Sequence, residues 1–576
     1  MASETSVQTF VHQLEEGKWA KWIRLGALVS VMLGLASFFL FLEFRGLSDA
    51  HAMEQAQIAR EIARGNGFSS KVIRPFTYHQ FIASKGKFPD QRIPDVYHAP
   101  IPPLLLAGPL KAFEKHWPMQ RNQIVYHMDR VIAGTYMIWF MAALGAIYLL
   151  LRRLFDAKLA AITVGLTMIS MIYWDFCMAG LPLSLLLFLF TLTLYTLLRA
   201  VENLLLEQNP YLWLSATGVG FGLLAFTHAM TIWIFAGALL FVAIRFRPRM
   251  LAALGMLVIF LLIYTPWLYR NYAVYGNALG VSQYSVLSTI RGSENAIMRS
   301  IELSFLEVVP TFWKNKVIAQ TIFQLGDLNK LFGHSIAALF FFVALLHPFK
   351  TPTVSAFRWA LLPMWVAGGF GLAVFGFVGE EPRLNPNNLH PLFTPFFAAY
   401  GVAFILYLWN RLEIKIPLLR FGLISLIFLI SGIPLVNAFF GDKGAKINWP
   451  PYLPPFIGIL GEWTNEREII MSDMPWAVAW YADRKSLWLT QTIKDFVEMN
   501  DYDHLGGAIV GLYLTPVTGN SRFVSGIMKG DYREWAPFIT RNVTAKDFPL
   551  RAATGLPIDN ECIFYADRDR WTERTD

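Results

Sequence analysis

Cysteine is nearly missing from this sequence. Two of its 576 residues are cysteine, Cys177 and Cys562. That excludes a disulfide framework and a cysteine-rich metal site. Charge is scarce too: Asp, Glu, Lys and Arg make up 16% of the chain, against 55% hydrophobic residues. Mean hydropathy is +0.42. A water-soluble protein of this size has no interior large enough for so much apolar surface, whereas a polytopic membrane protein has lipid as its solvent. There is no internal repeat and no low-complexity segment. The net charge is +8, but the basic residues stand in short clusters between apolar runs. Membrane topology explains such clusters better than nucleic acid does.

Apolar runs of roughly the ~20 residues that cross a bilayer occur near 25–43, 131–151, 158–174, 180–199, 211–227, 229–246, 250–268, 333–347, 358–378, 391–409 and 420–438. About eleven spans are therefore predicted. The first reads as a retained signal anchor, because the 24 residues before it carry several charges and no small-residue cleavage site follows it. If the N-terminus is cytoplasmic, the inside segments hold 15 basic residues and the three short outside loops hold only Arg383. This bias orients the chain. Two outside loops are long, 44–130 and 269–332, and together with the spans they form a membrane domain over 25–438 after a cytoplasmic stretch 1–24. The tail, 439–576, is polar and aromatic and alternates strand and helix patterns: "EIIMSD", "PWAVAWYAD", "SLWLT", "IKDFVEMN", "GGAIVGLYLT". A small extracytoplasmic α/β domain is expected there.

The predicted span interiors contain essentially no Asp, Glu, Lys or Arg. Ion-coupled transporters and pumps need ionisable groups at mid-membrane, so this absence weighs against them. A lipid flippase that works with surface charges stays open. Any chemistry belongs to the outer loops. Directly after the first span comes "FRGLSDAHAMEQAQIAREIARGNGF" (44–68). Ser48 is suited to cap a helix that begins at Asp49 and ends at Gly65-Asn66-Gly67. Ala52, Ala56, Ala59 and Ala63 share one stripe, so such a helix is expected to lie along the membrane interface. Asp49 at its start can serve as a general base or as an ordinary cap. Asp49, His51 and Glu54 also fall within one turn and are compatible with a divalent metal. Arg270 in "YRNY" closes the seventh span, where an arginine can snorkel at the interface. His98 to Pro103 are expected to shape a cavity wall.

Three further stretches follow in order: "VYHAPIPPLLLAGPLKAF" (96–113), "PWLYRNYAVYGNALG" (266–280) and "MSDMPWAVAWYADRKSLWLT" (471–490). With the aspartate after the first span, they resemble the bacterial GT-C glycosyltransferases. More narrowly the chain is similar to the family-39, protein-mannosyltransferase and aminoarabinose-transferase type, over most of residues 25–440. The resemblance implies the GT-C membrane fold. It also implies inverting transfer of a sugar from a polyprenyl-phosphate carrier to an acceptor outside the cytoplasm. Membrane lipid is the other expected partner, with no nucleic acid, and the bacterial inner membrane is the expected location.

By the same resemblance Asp49 is the catalytic base and Asp175 in "YWDFCMAG" is a second acid. Arg270 and His228 meet the donor phosphate, and His51, Glu54, His98, Glu380 and Arg383 are cavity-lining candidates. Three departures are visible. Ala50 stands where protein mannosyltransferases carry a glutamate after the aspartate. "FTHAMT" puts His228 where relatives have lysine followed by Gly-Pro. "EEPRLNPNNLHPLF" has no Arg-Tyr pair. A lipid-linked glycan ligase or polymerase is the nearest alternative, and a flippase or a non-catalytic scaffold the more distant ones.

Overall fold

The computed structural model describes residues 20–89, 92–121, 123–287, 294–301, 316–375, 384–412, 417–441, 452–501, 505–519, 532–540, 548–556 and 562–571. Glu380 and Arg383 lie outside the described residues. Among the described residues, the eleven apolar runs lie largely on helix. Among the described residues six helices are long and apolar enough to cross a membrane singly: Gly26–Glu43, His127–Leu154, Leu183–Leu205, Arg249–Tyr275, Pro352–Phe375 and Leu418–Phe440. A seventh crossing results if Ala157–Ile169 and Met171–Ala179, bent by 49°, count as one. The bend falls at Ser170, whose ψ of 112° breaks the helical backbone.

The remaining runs make helices too short or too polar to count as single spans. Tyr211–Thr227 and Thr231–Arg245 are separated by the turn at His228. Ile336–Ala344 has only 9 residues, and Thr394–Arg411 has 18.

The chain divides into two compact units, 1–45 and 46–576. In the first, the helix Ala20–Ser37 runs into a π-helical turn, Phe38–Glu43. In the second, apolar helices pack at close range, and glycine permits it. A methyl group on Gly401 would collide with the Ala337 carbonyl, and one on Gly237 with the Pro363 carbonyl.

The same unit carries two sheets. Strands β1 (Ser69–Ser70) and β3 (Ile93–Pro94) form a short antiparallel ribbon within the first long loop. A six-stranded sheet combines β2 (Val72–Ile73) with five strands of the tail. These are β4 (Ile469–Ser472), β5 (Lys485–Trp488), β6 (Ile509–Leu514), β7 (Ala552–Leu556) and β8 (Cys562–Ala566). The order is β2-β5-β4-β6-β8-β7. β2, β5, β4 and β6 run parallel, and β8 and β7 close the edge antiparallel.

Helical turns over 475–482 and the helix Ile493–Asp501 make the crossovers, as parallel neighbours require. β4 and β6 are buried at every position, which is why they read as nearly continuous apolar runs. The tail is thus strand and helix in the expected order, and its sheet also takes up Val72 and Ile73 from the first long loop.

Candidate active site

The helix after Gly46 spans Ala50–Ala63. Its cap is Asp49, one residue later than the expected Ser48. Asp49 has extended dihedrals, φ −112° and ψ 137°, and these turn its side chain back over the first turn. Oδ1 accepts the amides of His51 at 2.8 Å and Ala52 at 3.2 Å. Oδ2 accepts no hydrogen bond from the described residues. Burial pushes the Asp49 carboxyl up, His51 and the two amides pull it down, and Glu54 adds to the rise. The balance lies above the ordinary carboxylate value.

The expected interfacial placement of this helix is not what the structure has. Residues 52–61 are buried on every side, including Glu54, Gln57, Arg60 and Glu61. The polar side faces protein. The Arg60 guanidinium donates to the carbonyls of Ala479 (2.8 Å) and Trp480 (2.9 Å) and pairs with Asp483 at 3.0 Å. Arg64 and Lys71 reach the same carboxylate at 2.5 and 2.7 Å. Burial alone would raise the Asp483 carboxyl, but these three cations outweigh it and hold it well below the usual range.

Deeper in the first loop, Glu54 and His98 belong to one buried network. Glu54 pairs with Arg74. His98 Nε2 lies 3.4 Å from Glu54 Oε2, and its Nδ1 lies 3.3 Å from Asp95 Oδ2. Burial pushes the Asp95 carboxyl up, yet His98 and Arg74 outweigh it and hold it at about 2. The His98 ring meets His51 edge-on at 5.9 Å, and His51 stacks on Tyr97 at 5.6 Å. Arg74 lies over the same tyrosine at 4.3 Å. Glu54 and His98 therefore fix the wall on which His51 rests.

His228, in the turn between two helices, accepts the Met230 amide through Nδ1 at 3.3 Å. Burial, aided by the charge of His51, lowers its pKa to about 4. Hydrogen bonds to Pro386 and Asn387 act in the opposite direction. His51 thus stands within electrostatic reach of both Asp49 and His228. At neutral pH His228 offers a neutral hydrogen-bonding ring and no cation.

Arg270 is on the helix Arg249–Tyr275, which runs several residues beyond the apolar run. Its guanidinium donates to the carbonyls of Asp95 and Phe68 and to Asn271 Oδ1 at 3.0 Å. It lies 4.8 Å from the Trp267 ring. It fastens the ribbon of the first loop to that helix. Asp175 is half-buried on the short helix Met171–Ala179, beyond the bend at Ser170. Among the described residues no group of three or more His, Cys, Asp and Glu is arranged to hold a metal ion. Of the trio Asp49, His51 and Glu54, Glu54 is spent on Arg74.

Two further groups carry no local sequence signal. Trp476 Nε1 donates to the Tyr452 hydroxyl at 2.8 Å. Burial raises the Tyr452 phenol, and the charges of Asp49 and Asp473 raise it further. A tyrosine some four hundred positions away thus senses Asp49. Asp129, fully buried, accepts Trp480 Nε1 at 2.8 Å and the Tyr481 hydroxyl at 2.9 Å. It anchors the tail to the start of the helix His127–Leu154.

No family model and no curated protein matches the chain. Solved structures do. The chain is similar to ArnT from Cupriavidus metallidurans bound to undecaprenyl phosphate, at 12% identity and a TM-score of 0.51, over 94% of this chain and 98% of the other. It is also similar to the Archaeoglobus fulgidus oligosaccharyltransferase in complex with Zn and sulfate. There the identity is 14% and the TM-score 0.53, over 88% of this chain and 70% of the other. The fold is the GT-C fold that the sequence resemblance implies, and with its apolar helices the chain is an integral membrane protein.

Proposed function

We propose that this protein is an inverting glycosyltransferase that moves a sugar from a polyprenyl-phosphate carrier to an acceptor outside the cytoplasm. The observation that carries the reading is the Asp49 carboxylate. One oxygen is locked by two amides, the other accepts no hydrogen bond among the described residues, and burial raises the carboxylate's affinity for a proton. A general base has these properties. Further support comes from the shared fold with ArnT, whose solved complex holds undecaprenyl phosphate.

In the proposed reaction Asp49 Oδ2 takes the proton of the acceptor hydroxyl or amine as that atom bonds to the anomeric carbon. The bond from that carbon to the phosphate oxygen breaks, and the polyprenyl phosphate leaves with both electrons. The leaving group is already an anion, so no acid is needed to protonate it. Arg270 supplies positive charge to the phosphate, and neutral His228 supplies a hydrogen bond. Asp175 orients the acceptor. Glu54 and His98 keep the His51 wall in place, and Glu380 and Arg383 are assigned to the cavity mouth.

The test is turnover. Purified protein is given a panel of radiolabelled polyprenyl-phosphate sugars with a membrane extract as acceptor, and the product anomer is read by NMR. Transfer with inversion supports the reading, and transfer with retention removes the single-displacement mechanism. The similarity to an oligosaccharyltransferase favours one alternative, a transferase for longer glycans. Turnover confined to diphosphate-linked oligosaccharides would replace the monosaccharide reading with that one. No transfer from any donor would overturn both.

A further inference from the structure

A groove far in sequence from Asp49 separates the helices His127–Leu154 and Leu183–Leu205. Its volume is about 670 Å³, within the range of about 300–1,000 Å³ usual for ligand clefts. One wall is Ala142, Gly145, Ala146 and Leu149, and the other is Phe188, Thr191, Leu192 and Tyr195. The spacing i, i+3, i+4, i+7 turns all four residues of each wall to one helix face. A methyl group placed on Gly145 would touch nothing within 4 Å, so the groove is open there.

Arg152 and Arg153 close one end of the groove. Arg153 is committed: its guanidinium donates to both Glu202 oxygens at 2.9–3.0 Å. Arg199 holds the same carboxylate at 3.2 Å. Arg152 is exposed and pairs with nothing among the described residues. Two arginines therefore share one carboxylate and Arg152 adds a third cation, so the end of the groove carries excess positive charge. Both arginines lie in the last turn of a helix long and apolar enough to cross a membrane. Lipid headgroups lie at that depth, and anionic ones are attracted to such a cluster.

We propose that this groove binds an anionic phospholipid, with an acyl chain along the Gly145 and Phe188 walls and the headgroup phosphate on Arg152. An acyl chain matches the apolar walls, and a phosphate accepts the two parallel N–H groups of a guanidinium. A zwitterionic lipid offers the same chain, but its own cation opposes Arg152. The site is separate from the Asp49 site and does not depend on the proposed transferase activity.

The test is native mass spectrometry of the delipidated full chain titrated with dioleoylphosphatidylglycerol or dioleoylphosphatidylcholine. The parent is expected to retain one phosphatidylglycerol in preference to phosphatidylcholine. Arg152→Gln should lower its occupancy about fivefold, the scale of one basic residue's attraction to anionic lipid. Gly145→Leu fills the open wall without changing any charge and should also displace it. Added undecaprenyl phosphate should leave it bound. Equal retention of the two lipids by the parent would overturn the proposal. So would unchanged phosphatidylglycerol binding in both variants, or displacement by undecaprenyl phosphate.

Discussion

Asp49 accepts the backbone N–H of His51 at 2.8 Å through Oδ1, so one oxygen of the carboxylate caps a buried helix while, among the described residues, the other accepts no hydrogen bond and is the proposed base. The two roles separate by substitution. Asparagine caps a helix as well as aspartate does but cannot take a proton. Asp49→Asn should unfold no earlier than the parent, since burial disfavours the charge it removes. Transfer should fall by about 100-fold or more, the contribution of a positioned general base. Asp49→Ala should lose the same activity and about 1 kcal/mol of stability with the cap. Transfer rates and thermal unfolding in detergent measure both. Parent-like transfer by the asparagine variant would remove Asp49 as the base.

The raised proton affinity of Asp49 sets a pH dependence with a definite sign. The base works only when ionised. Transfer should therefore rise with pH through a pKa above the ordinary carboxylate value of about 3.9. Stability runs the other way. The folded state holds this proton more tightly than the unfolded chain, so the contribution of Asp49 is complete below the ordinary value. It is lost as pH climbs through the raised one. A pH profile of kcat/KM and unfolding midpoints across the same range report the two effects. In Asp49→Asn the stability slope assigned to this group should vanish. A kcat/KM profile flat across acid pH would contradict the assignment.

Asp483 shows the opposite linkage. Its carboxyl lies well below the usual range, because Arg60, Arg64 and Lys71 outweigh burial. The stability it contributes is present above the ordinary carboxylate value and is lost as pH falls through its depressed one. Arg60 is 2% exposed. Asp483→Asn removes its counter-charge and leaves it with neutral partners such as the Ala479 and Trp480 carbonyls and the Trp480 ring. The expected loss is about 3 kcal/mol, the low end for breaking a buried ion pair. Arg64→Gln removes a half-buried partner of the same aspartate and should cost about 1 kcal/mol or less. If the two variants unfold together, the buried pair is not what fastens the tail to the first loop.

Much of this architecture is legible in residue patterns. Uninterrupted apolar runs locate the helices, and Gly65-Asn66-Gly67 marks the end of the Asp49 helix. Alternation with turn residues locates β4, β5 and β6. Pattern reading fails where a partner comes from far along the chain. The helix Ala50–Ala63 looks amphipathic because Arg60 and Glu61 are charged. Nothing local says that Asp483, more than four hundred residues on, meets that charge. Val72-Ile73 is too short to announce a strand, and it is one only because β5 lies beside it. Arg270 as an isolated cation suggests phosphate, while its backbone bonds to Phe68 and Asp95 follow from tertiary packing. Tyr452 and Asp129 lack local signals for the same reason.

Asp129 offers the sharpest test of the tail's attachment. It is 0% exposed and accepts two donors from consecutive residues, Trp480 and Tyr481. Asp129→Leu leaves both N–H and O–H buried without an acceptor, each at about 1–3 kcal/mol, so a loss of about 3 kcal/mol is expected. Tyr481→Phe alone should cost about 1 kcal/mol, the net worth of one hydrogen bond. In the Asp129→Leu background the same change removes an unsatisfied hydroxyl instead of a bonded one. It should then cost nothing or restore stability. The double-mutant cycle, read from unfolding midpoints, should give a coupling of about 1 kcal/mol or more. Additive losses would mean that water or a neighbouring group already satisfies the Tyr481 hydroxyl when Asp129 is gone.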